Sequence, residues 1–374
     1  MEYIQLGNLV ELKQGMAINA KSNHLVSKEE TPLALLRIAD MPTKSKVIFM
    51  SENTPERFIA SEDDIIYTRT GQVGLVFRKQ QGVVHNNCFR VIPNSEEKLD
   101  KGYLYWYLSL NSIRNFANSI ASGSAQPDLP HSTFKKIRIW LPHITAQKKI
   151  ANILDQYELL IENNNKRIKL LEQMAENLYK EWFVRFRFPG YEDVELENGL
   201  PKGWEYMKLE RLANISTGEC NREDAEEDGA YPLFDRSQEI KRSNVWLKDC
   251  EAIIVPGEGT SFIPRYYNGK FNLHQRCYCV EPLEKGMGFF LYQTLMMYRI
   301  YFLYVATGAT VPSLRLNNFN NFKVLLPKKE LCFQYNEIAE KMNDEILLLK
   351  NKNELLAKQR DMLLPRLMSG KLEV

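Results

Sequence analysis

Two stretches of this chain repeat each other at long range, and the repetition constrains the fold more than any local motif does. Ala121-Ser122-Gly123-Ser124 followed by Pro127 and Leu129 returns as Ala306-Thr307-Gly308-Ala309 followed by Pro312 and Leu314, an offset of 185 residues between Gly123 and Gly308. The same offset relates Phe134 and Leu141-Pro142 to Phe319 and Leu326-Pro327. Upstream the offset drifts, as loop insertions would make it. Ile65-Ile66 and Gly71 match Ile253-Ile254 and Gly259, while Leu6, Leu9 and Gly15 match Leu209, Leu212 and Gly218. The period is too long for a solenoid, whose repeats run about 20 to 50 residues. What remains is two copies of a domain-sized unit, with an approximate two-fold relation inside one chain.

The front of each copy carries short β-rich runs, Lys46 to Met50, Asp64 to Thr68, Gly74 to Arg78 and Glu251 to Val255, punctuated by Gly, Pro and Asn. Helical patches at Gly102 to Phe116 and Met287 to Tyr304 interrupt them, so the expected class is α+β. Each tail is a heptad stripe. In the first it runs through Ile150, Leu154, Tyr157, Ile161, Asn164, Ile168, Leu171, Ala175, Leu178 and Trp182. Adding the offset gives Tyr335, Ala339, Met342, Ile346, Leu349, Asn353, Leu356, Arg360, Leu363 and Leu367, again mostly apolar. Two long helices in one register are most economically buried as an antiparallel coiled coil. The expected divisions are domains at 1–143 and 189–328, with helical spacers at 144–188 and 329–374.

The polar members of the stripes predict the register. Asn164 and Asn353 prefer each other to hydrocarbon, which sets Ile168 against Leu349, Leu154 against Leu363, Trp182 against Tyr335, and the Tyr157 ring over the Arg360 stem.

Bulk properties exclude several classes. The longest apolar runs, Phe289 to Leu295 and Ile300 to Ala306, fall well short of the roughly 20 residues of a membrane span, and no signal-peptide pattern opens the chain. Six irregularly spaced cysteines do not form a secreted disulfide framework, so a soluble cytoplasmic protein is expected. A net charge of +2 leaves any nucleic-acid footprint to a local patch. There is no Pro-Pro dipeptide of a methyltransferase Asn-Pro-Pro-Tyr loop and no P-loop, and Gly257-Glu258-Gly259 alone is a weak cofactor signal. His274, Cys277 and Cys279 lack an evident fourth ligand, and the matched copy has Arg90 where a second Cys would stand, so no metal site and no catalytic residue are expected.

Two strings then point to a family. Asn177-Leu178-Tyr179-Lys180-Glu181-Trp182-Phe183-Val184-Arg185-Phe186, followed by Phe188-Pro189-Gly190 and Leu200-Pro201-Lys202-Gly203-Trp204, resembles the junction after the central helix of type I restriction-modification specificity subunits. The closing Gln359 to Gly370 resembles that family's C-terminal helix end. The resemblance implies two target recognition domains, each reading one half of a split double-stranded DNA site, joined by an antiparallel helix pair. It also implies a methyltransferase subunit docked on each side and restriction/translocase subunits in the full complex. S-adenosylmethionine, ATP and Mg2+ would serve those partners, and no cofactor would bind this chain. A stand-alone DNA-processing enzyme and a coiled-coil protein adaptor are the alternatives from other classes.

Candidate DNA contacts follow from residue chemistry. Arg69, Thr70 and Gln72 sit on a Gly-containing turn, and Arg and Gln match guanine and adenine edges; a hairpin with solvated polar tips is the plainer explanation. His85-Asn86-Asn87 and its equivalent His274-Gln275-Arg276 form a second group. Val255-Pro256-Gly257-Glu258-Gly259-Thr260 is the counterpart of the first turn, with Thr260 on it and Arg265 and Lys270 just beyond, and Ser122, Ser124, Gln126, Thr307 and Thr310 lie on small-residue turns that loop closure alone explains. Residues 189–327 hold 15 Lys and Arg against 19 Asp and Glu, an excess of acid traced to Glu219 to Asp228, a loop expected to face away from DNA.

Overall fold

The computed structural model describes residues 3–123, 125–308 and 310–374, so Ser124 among the turn candidates lies outside the described residues. The fold is α+β, and it divides into two units, residues 1–164 with 351–374 and residues 165–350.

In the first unit the strand Tyr3–Gln5 pairs antiparallel with Arg138–Trp140. A four-stranded sheet has the order Val10–Gln14, Cys88–Pro93, Ile65–Thr68, Val76–Phe77. A five-stranded sheet follows the order Val26–Ser27, Phe49–Met50, Leu33–Leu36, Gly82–Val84, Ile59–Ala60. Ile65–Thr68 is buried on both faces, which is why it reads as a continuous apolar run. Alternate side chains go to opposite cores: Ile65 and Tyr67 join Phe89, Phe134 and Trp106, whereas Ile66 joins Leu36, Val84 and Cys88.

The second unit repeats the plan. Glu205–Lys208 pairs with Lys323–Leu326, and a six-stranded sheet runs Ala213–Thr217, Cys277–Pro282, Lys248–Pro256, Arg265–Leu273, Tyr231–Phe234, Lys241–Ser243. Ile253 and Val255 face the large aromatic core. Ile254 faces the smaller one, which holds Cys277 and Cys279 beside Phe234 and Phe271. Both cysteines act there as small apolar side chains, and among the described residues no three His, Cys, Asp or Glu could hold a metal ion.

A close backbone approach explains the repeated glycine. A Cβ on Gly15 would lie 2.2 Å from the His85 carbonyl oxygen, and one on Gly218 would lie 1.9 Å from that of Leu273.

Each expected helical patch is two helices. The first splits into Lys101–Leu108, N-capped by Asp100, and Asn111–Ser119. The second splits into Gly288–Met297 and Arg299–Val305. In one straight helix Leu108 and Leu110 would point about 200° apart; with Leu110 extended at the break, both are buried.

The heptad stripes are the helices Ile144–Tyr179 and Lys329–Met368, roughly 54 and 60 Å long. In the first unit they run antiparallel, with Asn164 Nδ2 donating to Asn353 Oδ1 at 2.8 Å and Ile150 and Leu154 sharing a core with Leu364 and Leu367. In the second unit Ile168 packs with Ile346 and Leu349, and Trp182 meets Tyr335 edge-on at 6.2 Å. The predicted register therefore holds in both units. Beyond this register, the Arg360 guanidinium lies over the Trp106 ring, at 5.8 Å. Trp106 reaches it because its helix lies against the helix pair, where its indole N–H donates to Asp155 at 2.7 Å.

The first long helix ends in a π-type turn, Lys180–Val184. The wider turn lets the adjacent Trp182 and Phe183 both bury, Phe183 edge-on to Phe290 at 5.0 Å. Among the described residues no helix is long and apolar enough to cross a membrane.

Candidate nucleic-acid interface

In the first unit three loops meet where the strand Ile65–Thr68 ends and the strand Cys88–Pro93 begins. The Arg69 N–H donates to the Asn87 carbonyl at 2.8 Å, the Leu129 N–H to that of Arg69 at 2.9 Å, and the Gly71 N–H to that of Pro127 at 2.8 Å. On this frame the Arg69 guanidinium grips Asp128 through Nε and Nη2, at 3.1 and 2.7 Å, and donates from Nη1 to Gln14 Oε1 at 3.0 Å. Gln14 in turn donates to the Asn86 carbonyl at 2.6 Å. The Thr70 hydroxyl also donates to Asp128, at 2.6 Å. Hydrogen bonds from Arg69 outweigh the effect of burial and hold the Asp128 carboxyl below its ordinary range. Gly71, at φ +82° with open space around its Cβ position, lets the turn project, and Gln72 is exposed beside it.

The second unit has the same frame with different side chains. The Gly257 N–H donates to the Arg276 carbonyl at 2.8 Å, the Leu314 N–H to that of Gly257 at 2.8 Å, and the Gly259 N–H to that of Pro312 at 3.1 Å. Thr70 bridges Asp128 in one unit where Glu258 bridges Ser313 in the other. Arg69 thus corresponds to Gly257, Thr70 to Glu258, Asn87 to Arg276 and Asp128 to Ser313. Here the carboxylate is Glu258, whose Oε1 accepts from Arg276 at 2.6 Å and Oε2 from Arg236 at 2.5 Å. Those arginines, Arg276 foremost, hold its carboxyl below the ordinary glutamate range. A cleft opens among Asp235, Arg236, Ser237, Glu258, Gly259, His274 and Val311.

A duplicated frame whose exposed side chains differ is what a chain with two recognition surfaces requires. The profile of the type I restriction modification DNA specificity domain matches residues 1–173 and 201–358, one match to each copy. The chain belongs to this family. Similar specificity chains include the type I restriction enzyme MjaIX specificity subunit of Methanocaldococcus jannaschii, 26% identical over 337 residues that cover 83% of this chain and 78% of that protein. The EcoDI specificity subunit of Escherichia coli is 33% identical over 144 residues, 38% of this chain and 31% of that protein. The crystal structure of the type I restriction-modification S subunit from M. genitalium shares the fold, with a TM-score of 0.65 at 16% identity over 98% of this chain and 96% of that one.

Within this specificity fold the first-half candidates, Arg69, Thr70, Gln72 and His85-Asn86-Asn87, come together at one loop cluster. His85 and His274 play the same local part, each Nδ1 accepting from the backbone N–H two residues on, of Asn87 at 3.3 Å and of Arg276 at 3.0 Å. Burial, chiefly, lowers both imidazoles' pKa, and His274 is only 6% exposed. Gln275, Arg276 and Thr260 are exposed near the second cluster, Gln275 donating to Asn221 at 2.6 Å. Arg265 turns inward to the carbonyls of Asp235 and Ser237, at 2.6 and 2.8 Å, with its guanidinium over Phe234. Lys270 lies apart: it pairs with Asp249, seven residues before Pro256 and so about 23 Å along the strand from the cluster, and its ammonium covers Trp246.

The acidic loop starts beside the candidate segment, Cys220 bridging His274 and the Gln275 N–H donating to the Cys220 carbonyl at 2.9 Å, because the Gly218 approach draws both segments together. Gln14, Asp128, Asn221, Arg236 and Glu258 were missed as candidates. For Asp128 a signal was present: it stands between Pro127 and Leu129, both of which recur, while Ser313 stands between their counterparts.

Proposed function

We propose that the two loop clusters are the DNA-reading surfaces of a specificity subunit, each reading one half of a bipartite double-stranded site. Residues 1–143 and 189–328 act as target recognition domains, and 144–188 and 329–374 as helical spacers. The observation that carries this reading is the shared backbone frame bearing different charged side chains, Arg69 with Asp128 in one copy and Arg276, Arg236 and Glu258 in the other. Guanidinium groups at loop tips suit base edges and phosphates.

The helices carry the second part of the role. Leu159, Leu160, Leu355 and Met362 are exposed in the first unit, and Leu170, Met174, Leu347 and Leu348 in the second. Such apolar rows between charged residues suit partner helices, and their occurrence in each unit supports one methyltransferase subunit per copy, two in all. Restriction/translocase subunits complete the assembly. S-adenosylmethionine, ATP and Mg2+ serve those partners, and the chain itself takes no cofactor. The test is reconstitution: the purified chain is expected neither to methylate nor to cut DNA, and the methyltransferase subunit added to it to methylate adenine at one bipartite sequence. Methyl transfer by the chain alone would overturn the reading.

A further inference from the structure

Glu258 is not among the expected DNA contacts, yet two separate segments of the second unit bring an arginine to its carboxylate. Its side chain is 17% exposed, while those of Arg236 and Arg276, one on each of its oxygens, are 43% and 54% exposed. The backbones behind all three are fixed: Glu258 bridges Ser313, the Arg276 N–H donates to the His274 ring, and Asp235, beside Arg236, accepts from the Ser237 N–H at 2.8 Å. Ion pairs made by such exposed arginines contribute little to folding stability, so stability does not account for two loop tips meeting on one carboxylate.

We propose that Glu258 is a positioning residue that aims Arg236 and Arg276 as a fixed pair at guanine edges in the major groove of the second half-site. The inference rests on the reading of this cluster as DNA-facing. With an arginine on each oxygen, Glu258 is poorly placed to read a cytosine amino group itself, and it acts through its partners. Each guanidinium spends one nitrogen on Glu258, and on these partly exposed side chains the rest of the fork matches guanine O6 and N7. A pinned fork loses less freedom on binding than a mobile one. Two cations on one anion leave a local charge of +1 at these loop tips. In the first unit the corresponding position is Thr70, and Asp128 pins the single Arg69. The two halves therefore present different numbers of pinned arginines and read unlike half-sites.

The experiment is selection of bound duplexes from a randomised pool by the full chain in complex with its methyltransferase subunits, followed by sequencing. Wild type is expected to select guanine in the second half-site. Glu258→Gln is expected to lower that preference roughly tenfold, about one bidentate contact, while leaving the first half-site unchanged and not weakening binding to random DNA, since a negative charge is removed. A merely structural role would instead lower the melting temperature and weaken binding without relaxing base choice. Unchanged base preference in Glu258→Gln overturns the positioning role, provided that Arg236→Ala with Arg276→Ala does relax it. If that double variant also keeps the second half-site intact, the DNA-facing reading of the cluster itself fails.

Discussion

Arg69 is held on three sides before any DNA arrives, by Asp128, by Gln14 and through its own backbone by Asn87. Preorganisation of this kind reduces the rotamer freedom lost on binding. Arg69→Ala is expected to cost about 1 to 3 kcal/mol in cognate binding and to relax the first half-site only; competition binding with half-site variants measures it, and an unchanged affinity and preference would remove the residue from the interface. Asp235 offers a pH handle. Burial pushes its carboxyl up, but the Lys241 ammonium at 2.6 Å and the Ser237 hydroxyl and N–H outweigh that and hold it at about 2. A carboxyl lowered on folding adds stability above its unfolded pKa, near 3.9, and loses it as pH falls toward the folded value. The stability difference between wild type and Asp235→Asn should be full at about pH 6 and clearly smaller at about pH 3. Urea melts at both pH values check this, and a constant difference would refute it.

At the scale of elements, the helix pair is a coiled coil only in its middle. Near the ends its stripe is absorbed into the domain cores, Leu154 with Tyr103 and Phe134 in one unit and Tyr335 with Phe290 and Trp204 in the other. In the first unit the side-chain amides of Asn164 and Asn353 pair, both half-buried. A buried polar pair lowers stability and selects register. Asn353→Leu is therefore expected to raise the melting temperature while permitting slippage. Register is read by crosslinking: Ile168→Cys with Leu349→Cys should form a disulfide under mild oxidation, and Ile168→Cys with Leu356→Cys, one heptad away, should not. The opposite pattern would reject the alignment.

For the whole molecule, the duplication carries a functional expectation. Each unit has its own sheets, its own aromatic core and its own loop cluster, so the halves are expected to read DNA independently. Replacing residues 1–142 with the corresponding domain of another specificity subunit should change one half of the methylated sequence and leave the other intact. Methylation mapping reports both halves at once, and a joint change would contradict independence.

The chain's duplication, its α+β class, the heptad stripes and the Asn164–Asn353 register were all legible in the sequence, because each rests on periodic spacing that backbone geometry turns directly into position. The side chains that complete the loop clusters were not. Asp128 lies 59 residues from Arg69, and Arg236 lies 22 from Glu258; only the pairing of strands brings such segments together. Burial was decided at the same level. Arg265 reads as a surface cation by residue type, but its strand position beside Phe234 turns its guanidinium toward two backbone carbonyls and leaves it half-buried. Local pattern determines which elements form, whereas the charge that faces outward at a loop tip depends on partners supplied by distant segments, and those exist only once the sheets have closed.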